Sequence, residues 1–518
     1  MRSISPLWVL LGIAVSFTEA VNVVYYPPDQ THINNLTNVL HSTEAPGIFN
    51  SSHTPDSIYG IYNWCNMPHV RTKEYKTPSS QYKLVYVEAI QRHQKRTPYA
   101  SNTYFEEVIG WDCVNQGRTV GLHSTSFQET TVEWQAEFPS NNPFTKTVGP
   151  GFINSTCIFP GITSEGQDDA RVHGEDLREV YFKRLGLGET YDGKTARVRV
   201  TNNVITSEVA SGACRGLWPK TDVVPVSIEE PVIDSLEPSY PCPNADAIRN
   251  NYTTGDGGAV WLNHLTAAAP LFDKLDSISG IEKNDTGGWH ISLDHNYDNL
   301  SAKQCHGKPL SCDRNDTSTC VSQEEANMVY NFGNWEYSYI FRDAPESADY
   351  SCKKYGAFFL QLQDHLQQVM DGKSTMKFMY NIAHDGSMAP MLGCLQISQM
   401  VWPGMGAEVT YELYEGPSNG NNGPGQCNSD ITSRDDNSHG NDNHGDDNHG
   451  NNGHGNNGHG NSGNGKQQYY LRVMWGGKPM KTSTPMGTLD LIPVETFFDY
   501  IAQYVGTGEE LVQLCQSA

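Results

Sequence analysis

At 518 residues, with 35 Lys and Arg against 59 Asp and Glu, the chain carries a formal net charge of −24. That balance excludes the basic face needed to bind nucleic acid or an anionic membrane surface. Hydrophobic residues at 37 % and aromatics at 10 % exclude a disordered chain and are enough to bury a sizeable core. The low mean hydropathy of −0.54 owes more to Asn, Gly, Ser and Thr than to charge, as expected of a loop-rich extracellular protein.

Arg2 precedes an apolar run from Pro6 to Phe17, and Thr18-Glu19-Ala20 supplies the small residues at which a signal peptidase cuts. The run is shorter than the roughly 20 residues of a membrane span. Residues 1–20 are therefore expected to be a signal peptide, and the product secreted with no membrane anchor. Twelve cysteines follow, from Cys65 to Cys515, with no Cys-x-x-Cys pair. An even count in a secreted chain implies disulfides rather than a structural metal site. Seven sequons, at Asn35, Asn50, Asn154, Asn251, Asn284, Asn299 and Asn315, predict N-glycans.

Residues 21–80 are rich in Asn, Pro, Ser and Thr and read as an extended N-terminal arm. Tyr82 to Ile90 is the first buried strand, a β-branched and aromatic run ended by polar residues. Helical spacing follows from Gly166 to Tyr181, then a strand from Ala196 to Val200. Between 215 and 350 the pattern breaks into Pro, Asn, Gly and Cys with helical pieces around Ala259 to Leu275, which predicts an inserted, mainly helical cap domain. A helix from Gly356 to Met370 and a strand from Met376 to Ile382 resume the main pattern. Strands from Ala407 to Tyr414 and Gln468 to Trp475 flank a low-complexity loop at 417–466. The layout is α/β, with a core built from both ends of the chain, 81–214 and 351–518.

In the 417–466 loop, His439, His444, His449, His454 and His459 recur every five residues among Asn, Gly and Asp. Such a tract cannot bury a core, and it reads as a solvated loop rather than a metal site.

The chemistry concentrates at two strand ends. Arg92-His93-Gln94-Lys95-Arg96-Thr97-Pro98 leaves the first strand, and in an open α/β sheet ligands sit at carboxyl strand ends. Three cations around one imidazole call for an anion such as phosphate or sulfate. His384-Asp385 closes the Met376–Ile382 strand and adds a second imidazole and an acid.

These paired motifs resemble those of the histidine acid phosphatases, the family of fungal acid phosphatases and phytases, whose signature is Arg-His-Gly-x-Arg-x-Pro followed late in the chain by His-Asp. The likeness spans about residues 80–505, including the stretch from Ile162 to Tyr181 and the hairpin Val409–Tyr414 with Tyr469–Met480. It implies a three-layer α/β core with an inserted cap, and two-step hydrolysis of a small phosphomonoester with neither metal nor cofactor. His93 would attack phosphorus and form a phosphohistidine; Asp385 would protonate the leaving alcohol; Arg92, Arg96 and His384 would bind the phosphoryl oxygens. A cation about 5 Å from His93 at an effective dielectric of about 20 disfavours imidazolium by about 3 kcal/mol, roughly two pKa units. Asp385 would act in its protonated form, in an acidic working range.

Two departures bear on this. Gln94 replaces the signature Gly, and would narrow the pocket or supply an amide contact. Ile205-Thr206 stands where the family has a further phosphate-binding Arg, leaving Arg199 or Arg215 to compensate. The competing readings are a phytase, a catalytically impaired phosphate-binding or cell-wall protein of the same fold, and a metal-binding role for the His-rich tract.

Overall fold

The computed structural model describes residues 21–50, 53–113, 118–122, 129–133, 136–137, 139–417 and 467–517. The expected signal peptide and the His-rich tract lie outside the described residues. The strands are β1 (Lys83–Arg92), β2 (Arg118–Leu122), β3 (Glu129–Glu133), β4 (Ala196–Val200), β5 (Val226–Ile228), β6 (Phe378–Ala383), β7 (Glu408–Gly416), β8 (Gln468–Trp475), β9 (Lys478–Pro479) and β10 (Ile492–Pro493). β2 and β3 pair with each other. The rest form an 8-stranded sheet in the order β10-β8-β7-β1-β6-β4-β5, with β9 on β8. β1, β6, β4 and β5 are parallel, and β7 and β8 continue the sheet antiparallel. β1 and β6, from opposite ends of the chain, lie side by side at its centre.

The helices in chain order are α1 (Leu36–His41), α2 (Pro150–Ile153), α3 (Ser164–Leu185), α4 (Val204–Leu217), α5 (Pro243–Thr253), α6 (Ala259–Ser279), α7 (Asp294–Cys305), α8 (Gln323–Ser338), α9 (Ser347–Met370), α10 (Asp385–Cys394), α11 (Val494–Tyr504) and α12 (Gly508–Gln516). Strand periodicity sorts the core into layers, because successive side chains point to opposite faces. Val87 and Ala89 of β1 and Phe378, Tyr380 and Ile382 of β6 pack with α3 and α4. Tyr86, Ile90, Met379 and Ala383 face the other way, into the larger core that holds α9, α11 and the cap. The architecture is the α/β sandwich expected. α3 and α4 approach closely because Gly174 and Gly216 lack side chains: a Cβ on Gly216 would stand 2.1 Å from the Arg171 carbonyl.

Helices α5 to α8 lie between β5 and β6, and a π-helical turn, Tyr339–Asp343, joins α8 to α9. Within the 215–350 segment, β5 belongs to the sheet. The arm at 21–80 packs into the fold, with Trp64 and Cys65 buried and Phe49 stacked on Tyr330 of α8 at 4.3 Å. β1 runs past Ile90 to Arg92, because Gln91 and Arg92 are themselves buried between neighbouring strands and their polarity does not mark a strand end.

Five disulfides join Cys65 to Cys305, Cys113 to Cys157, Cys242 to Cys515, Cys312 to Cys320 and Cys352 to Cys394. Cys214 is a buried free thiol, and Cys427 lies outside the described residues. Of the seven sequon asparagines, six are exposed. Asn299 is 1 % exposed and donates to the Asn102 carbonyl at 2.8 Å, so it offers no glycan acceptor in the folded chain. Among the described residues, no helix is long and apolar enough to cross a membrane.

Candidate active site

The register of β1 on β6 pairs Arg92 with Ala383, so the two motifs leave the sheet side by side. The His93 N–H donates to the Ala383 carbonyl at 3.0 Å. Beyond that bond the His93 and His384 rings lie 5.6 Å apart, edge to face. The five residues expected at the site, Arg92, His93, Arg96, His384 and Asp385, are brought together here.

The His93 ring is buried, and its Nδ1–H donates to the Gln94 carbonyl at 3.0 Å. That bond fixes the proton on Nδ1 and leaves the Nε2 lone pair free. Burial, then Arg92, Arg96 and His384, hold the His93 pKa well below the ordinary imidazole range. The expectation from a single cation thus had the right sign, with desolvation added. Arg92 donates from Nη1 to the Pro403 carbonyl at 2.6 Å, pairs through Nη2 with Asp385 at 3.2 Å, and lies over the Trp64 ring. Arg96 pairs with Asp298 of α7 at 2.9 Å and lies over Tyr99.

His384 is the N-cap of α10, and Asp385 is its first residue. Asp385 Oδ2 accepts from the Trp402 indole at 2.7 Å and the Tyr337 hydroxyl at 3.1 Å, and Oδ1 accepts from the Gly386 N–H. Burial works against the carboxylate, but Arg92, Trp402, Arg96 and His384 outweigh it and hold the pKa below the usual range. The helix N-terminus acts in the same direction. The resting acid is therefore an ion-paired carboxylate, not the protonated form expected from its role. His384 Nε2 meets the Thr201 hydroxyl at 2.8 Å and the Glu237 carboxylate at 3.4 Å.

Other side chains go elsewhere than the sequence suggested. Lys95 is not an additional phosphate-facing cation: it pairs with Glu165 at 2.9 Å and Asp169 at 3.3 Å, one turn apart on α3. Gln94 neither narrows the pocket nor offers it an amide. Its Nε2 lies 3.3 Å from His173 Nδ1, over Gly406. Ile205 is buried in the α3–α4 core. Arg199 does not replace the missing arginine, since Glu229, Asp234, Ser235 and Gln361 engage its terminal nitrogens. Arg215 bonds the Pro219 carbonyl at the end of α4.

A chamber of about 740 Å³ opens above the acid. His384, Asp385, Gly386 and Ser387 line one end of it, and the cap supplies Trp261, Leu262, Leu265, Ile291, Ile340 and Phe341. His93 is not part of the lining; it lies against His384, which is. The lining includes two basic residues, Arg249 and Lys354, and carboxylates at Glu237, Asp294, Glu336 and Asp385. Trp402, Tyr337, Asp298, Thr201 and Glu237 were not anticipated, because each meets the motifs only through the tertiary fold.

No family model matches the chain. It is 24 % identical over 349 residues to counting factor 60 of Dictyostelium discoideum, covering 64 % of this chain and 76 % of that protein. It is 23 % identical over 341 residues to the Bos taurus lysophosphatidic acid phosphatase type 6, covering 64 % of this chain and 74 % of that one. Among solved structures, the Bifidobacterium longum multiple inositol polyphosphate phosphatase aligns over 90 % of this chain and 98 % of its own, with a TM-score of 0.46 and 11 % identity. The chain is thus similar in sequence to a lysophosphatidic acid phosphatase, and its two motifs, which resemble the histidine acid phosphatase signature, converge at adjacent parallel strand ends.

Proposed function

We propose that the protein is an acid phosphatase that hydrolyses phosphomonoesters through a phosphohistidine on His93. The observation that carries this reading is the state of the His93 ring: buried beside Arg92 and Arg96, with its proton committed to the Gln94 carbonyl and its Nε2 lone pair free. In the first step Nε2 attacks phosphorus, the P–O bond to the alcohol breaks, and Asp385 gives its proton to the leaving oxygen. In the second, water attacks phosphorus, Asp385 takes the proton back, the P–N bond breaks, and phosphate leaves. Arg92 and Arg96 bind the phosphoryl oxygens with fixed guanidinium donors, which match the spreading charge without reorganising.

The resting Arg92–Asp385 pair has a role in this scheme. A phosphoester competes for Arg92 and brings its own negative charge, and both changes raise the Asp385 pKa toward the protonated form the first step requires. Acid pH acts in the same direction. A free acid and an occupied Arg92 thus arrive together with substrate.

The chamber above Asp385 receives the leaving alcohol. Its apolar cap wall suits an alkyl or aromatic alcohol. Four lining carboxylates against the cations Arg249 and Lys354 and the imidazole of His384 disfavour the polyphosphorylated ring a phytase takes. The name of the bovine relative, a lysophosphatidic acid phosphatase, accords with that choice. Hydrolysis of p-nitrophenyl phosphate at acid pH tests the activity, with quench-trapping of the phosphorylated residue. Wild-type inactivity across acid pH and several esters, or labelling that survives in His93→Ala, overturns the reading. An alkyl phosphate series from butyl to dodecyl, set against inositol hexakisphosphate, tests the leaving group. We expect kcat/KM to rise with chain length, and preference for the inositol ester would sink that part. Five disulfides and the apolar Pro6–Phe17 run support secretion.

A further inference from the structure

Behind the nucleophile lies a buried polar cluster that the proposed reaction leaves unused. Gln94 is fully buried, and its Nε2 lies 3.3 Å from His173 Nδ1. His173, on α3, meets Glu408 through Nε2 at 2.7 Å. Glu408 opens β7, and its other oxygen accepts the Val70 N–H from the arm at 3.1 Å. His69, also from the arm, stacks on His173 with ring centres 3.9 Å apart and pairs with Asp176 of α3 at 2.9 Å. The Gln94 amide fits only because Gly406 has no side chain: a Cβ there would stand 2.6 Å from both amide heteroatoms. The Gly406 N–H in turn donates to the His93 carbonyl at 3.1 Å.

We propose that Gln94, His173 and Glu408 are positioning residues for the nucleophile, buttressed by the His69–Asp176 pair stacked against His173. The proposal rests on His93 being the nucleophile. The donor–acceptor chain is directional. With His173 Nε2–H donated to the Glu408 carboxylate, the Nδ1 of the ring is an acceptor and takes the Gln94 N–H. The amide is thereby anchored in residue 94, the same residue whose backbone carbonyl holds the His93 Nδ1–H and so aims Nε2. A protonated His173 would present a donor to the amide nitrogen and force the amide to turn its unpartnered Oε1 toward the ring, which disturbs the anchor on residue 94.

The stack decides which imidazole is charged, because two imidazoliums at this spacing repel strongly. Burial opposes charge on His69, but Asp176 and Glu408 outweigh it and raise its pKa. Burial and the His69 charge lower that of His173, against the pull of Glu408 and Asp176. The Tyr59, Tyr181 and Tyr380 hydroxyls are the other titratable groups close to these carboxylates, with Arg71 beyond Tyr59. Gln94 in place of the signature Gly is thus a side chain with a built partner set, not a narrowing of the pocket.

The test is pre-steady-state phosphorylation of the full chain by p-nitrophenyl phosphate, with Gln94→Leu, His173→Phe and the double variant. We expect each single change to slow phosphohistidine formation by about 10- to 100-fold through misaimed Nε2. KM should stay within about twofold, because the phosphate-binding arginines are untouched. The double variant should be no slower than the worse single one, since both cut the same chain. Wild-type rates, additive losses, or a change confined to KM would overturn the proposal.

His69→Gln supplies an independent arm should His173→Phe misfold. Without the His69 charge His173 protonates more readily, so the acid limb of kcat should move up by about one pH unit. An unmoved limb counts against the proposal. A wild type that forms no trapped phosphohistidine overturns the nucleophile assignment, and this proposal with it. Trapping in the wild type with unchanged variants overturns the positioning role alone.

Discussion

The two sides of His93 are built on opposite principles. In front, past His384 and Asp385, lies a chamber of about 740 Å³ with apolar cap walls. Behind, Gln94, His173 and Glu408 are buried and bonded in turn, with buried His69 stacked on His173. The open side can select among leaving groups without disturbing the nucleophile. The closed side can hold the nucleophile's proton in place without contacting substrate. Keeping choice and aim on separate faces means that substitutions on one face should move kinetic constants that those on the other leave alone.

The largest effect should come from the junction itself. His93→Ala should lower kcat by about 10⁴-fold or more, since it removes the proposed nucleophile. Asp385→Asn should cost about 10²- to 10⁴-fold on alkyl phosphates, whose alcohols leave poorly without a proton. The loss should be much smaller on p-nitrophenyl phosphate, whose leaving group needs little help. Equal losses on both esters would remove the acid role from Asp385.

On the open side, Leu262→Glu with Ile291→Glu alters a rim that is 49 % and 67 % exposed, so folding should survive. The preference for dodecyl over butyl phosphate should fall by about tenfold while p-nitrophenyl phosphate turnover is unchanged, as expected when apolar contacts worth 1–3 kcal/mol are lost, on the order of one or two methylenes. An unchanged chain-length profile would mean that the alcohol lies elsewhere.

The smallest effect on activity is expected at Glu208, which bears on stability. Burial lifts its carboxyl to about 7, with Oε1 buried and without a hydrogen-bond partner. Between the ordinary carboxylate pKa and 7 the unfolded chain releases this proton while the folded chain keeps it, so stability falls as pH rises through that window. The loss totals about 3 kcal/mol at most. Glu208→Gln should flatten thermal stability between pH 5 and about 7, the range fixed by that shift, with little change in kcat. A variant whose melting still drops by the full wild-type amount would assign the slope to other groups.

Much of the front of the site was legible in the sequence, because strand patterning placed Arg92-His93 and His384-Asp385 at strand ends and the sheet rule brought strand ends together. What the sequence hid was direction. Lys95 and Gln94 follow His93 in the chain yet point away from it, one to the carboxylates of α3 and the other to His173. Glu165 and Asp169 at helical spacing were a readable signal for the first. Nothing local marks His69, His173 and Glu408 as one cluster, since three separate elements bring them together. Trp402 and Tyr337, which grip Asp385, were invisible for the same reason.

The bridges give the chamber a property of its own. Cys242, at the start of α5, is tied to Cys515 of α12, and Cys305, at the end of α7, to Cys65 of the arm. The roof over the leaving group is therefore riveted at two points, one to α12, which holds none of the site residues, and one to the arm that carries Trp64 and His69. Cutting the Cys242–Cys515 rivet alone, with Cys515→Ser, would loosen the roof and leave the strand-end machinery standing. The enzyme would keep its reaction and lose its taste.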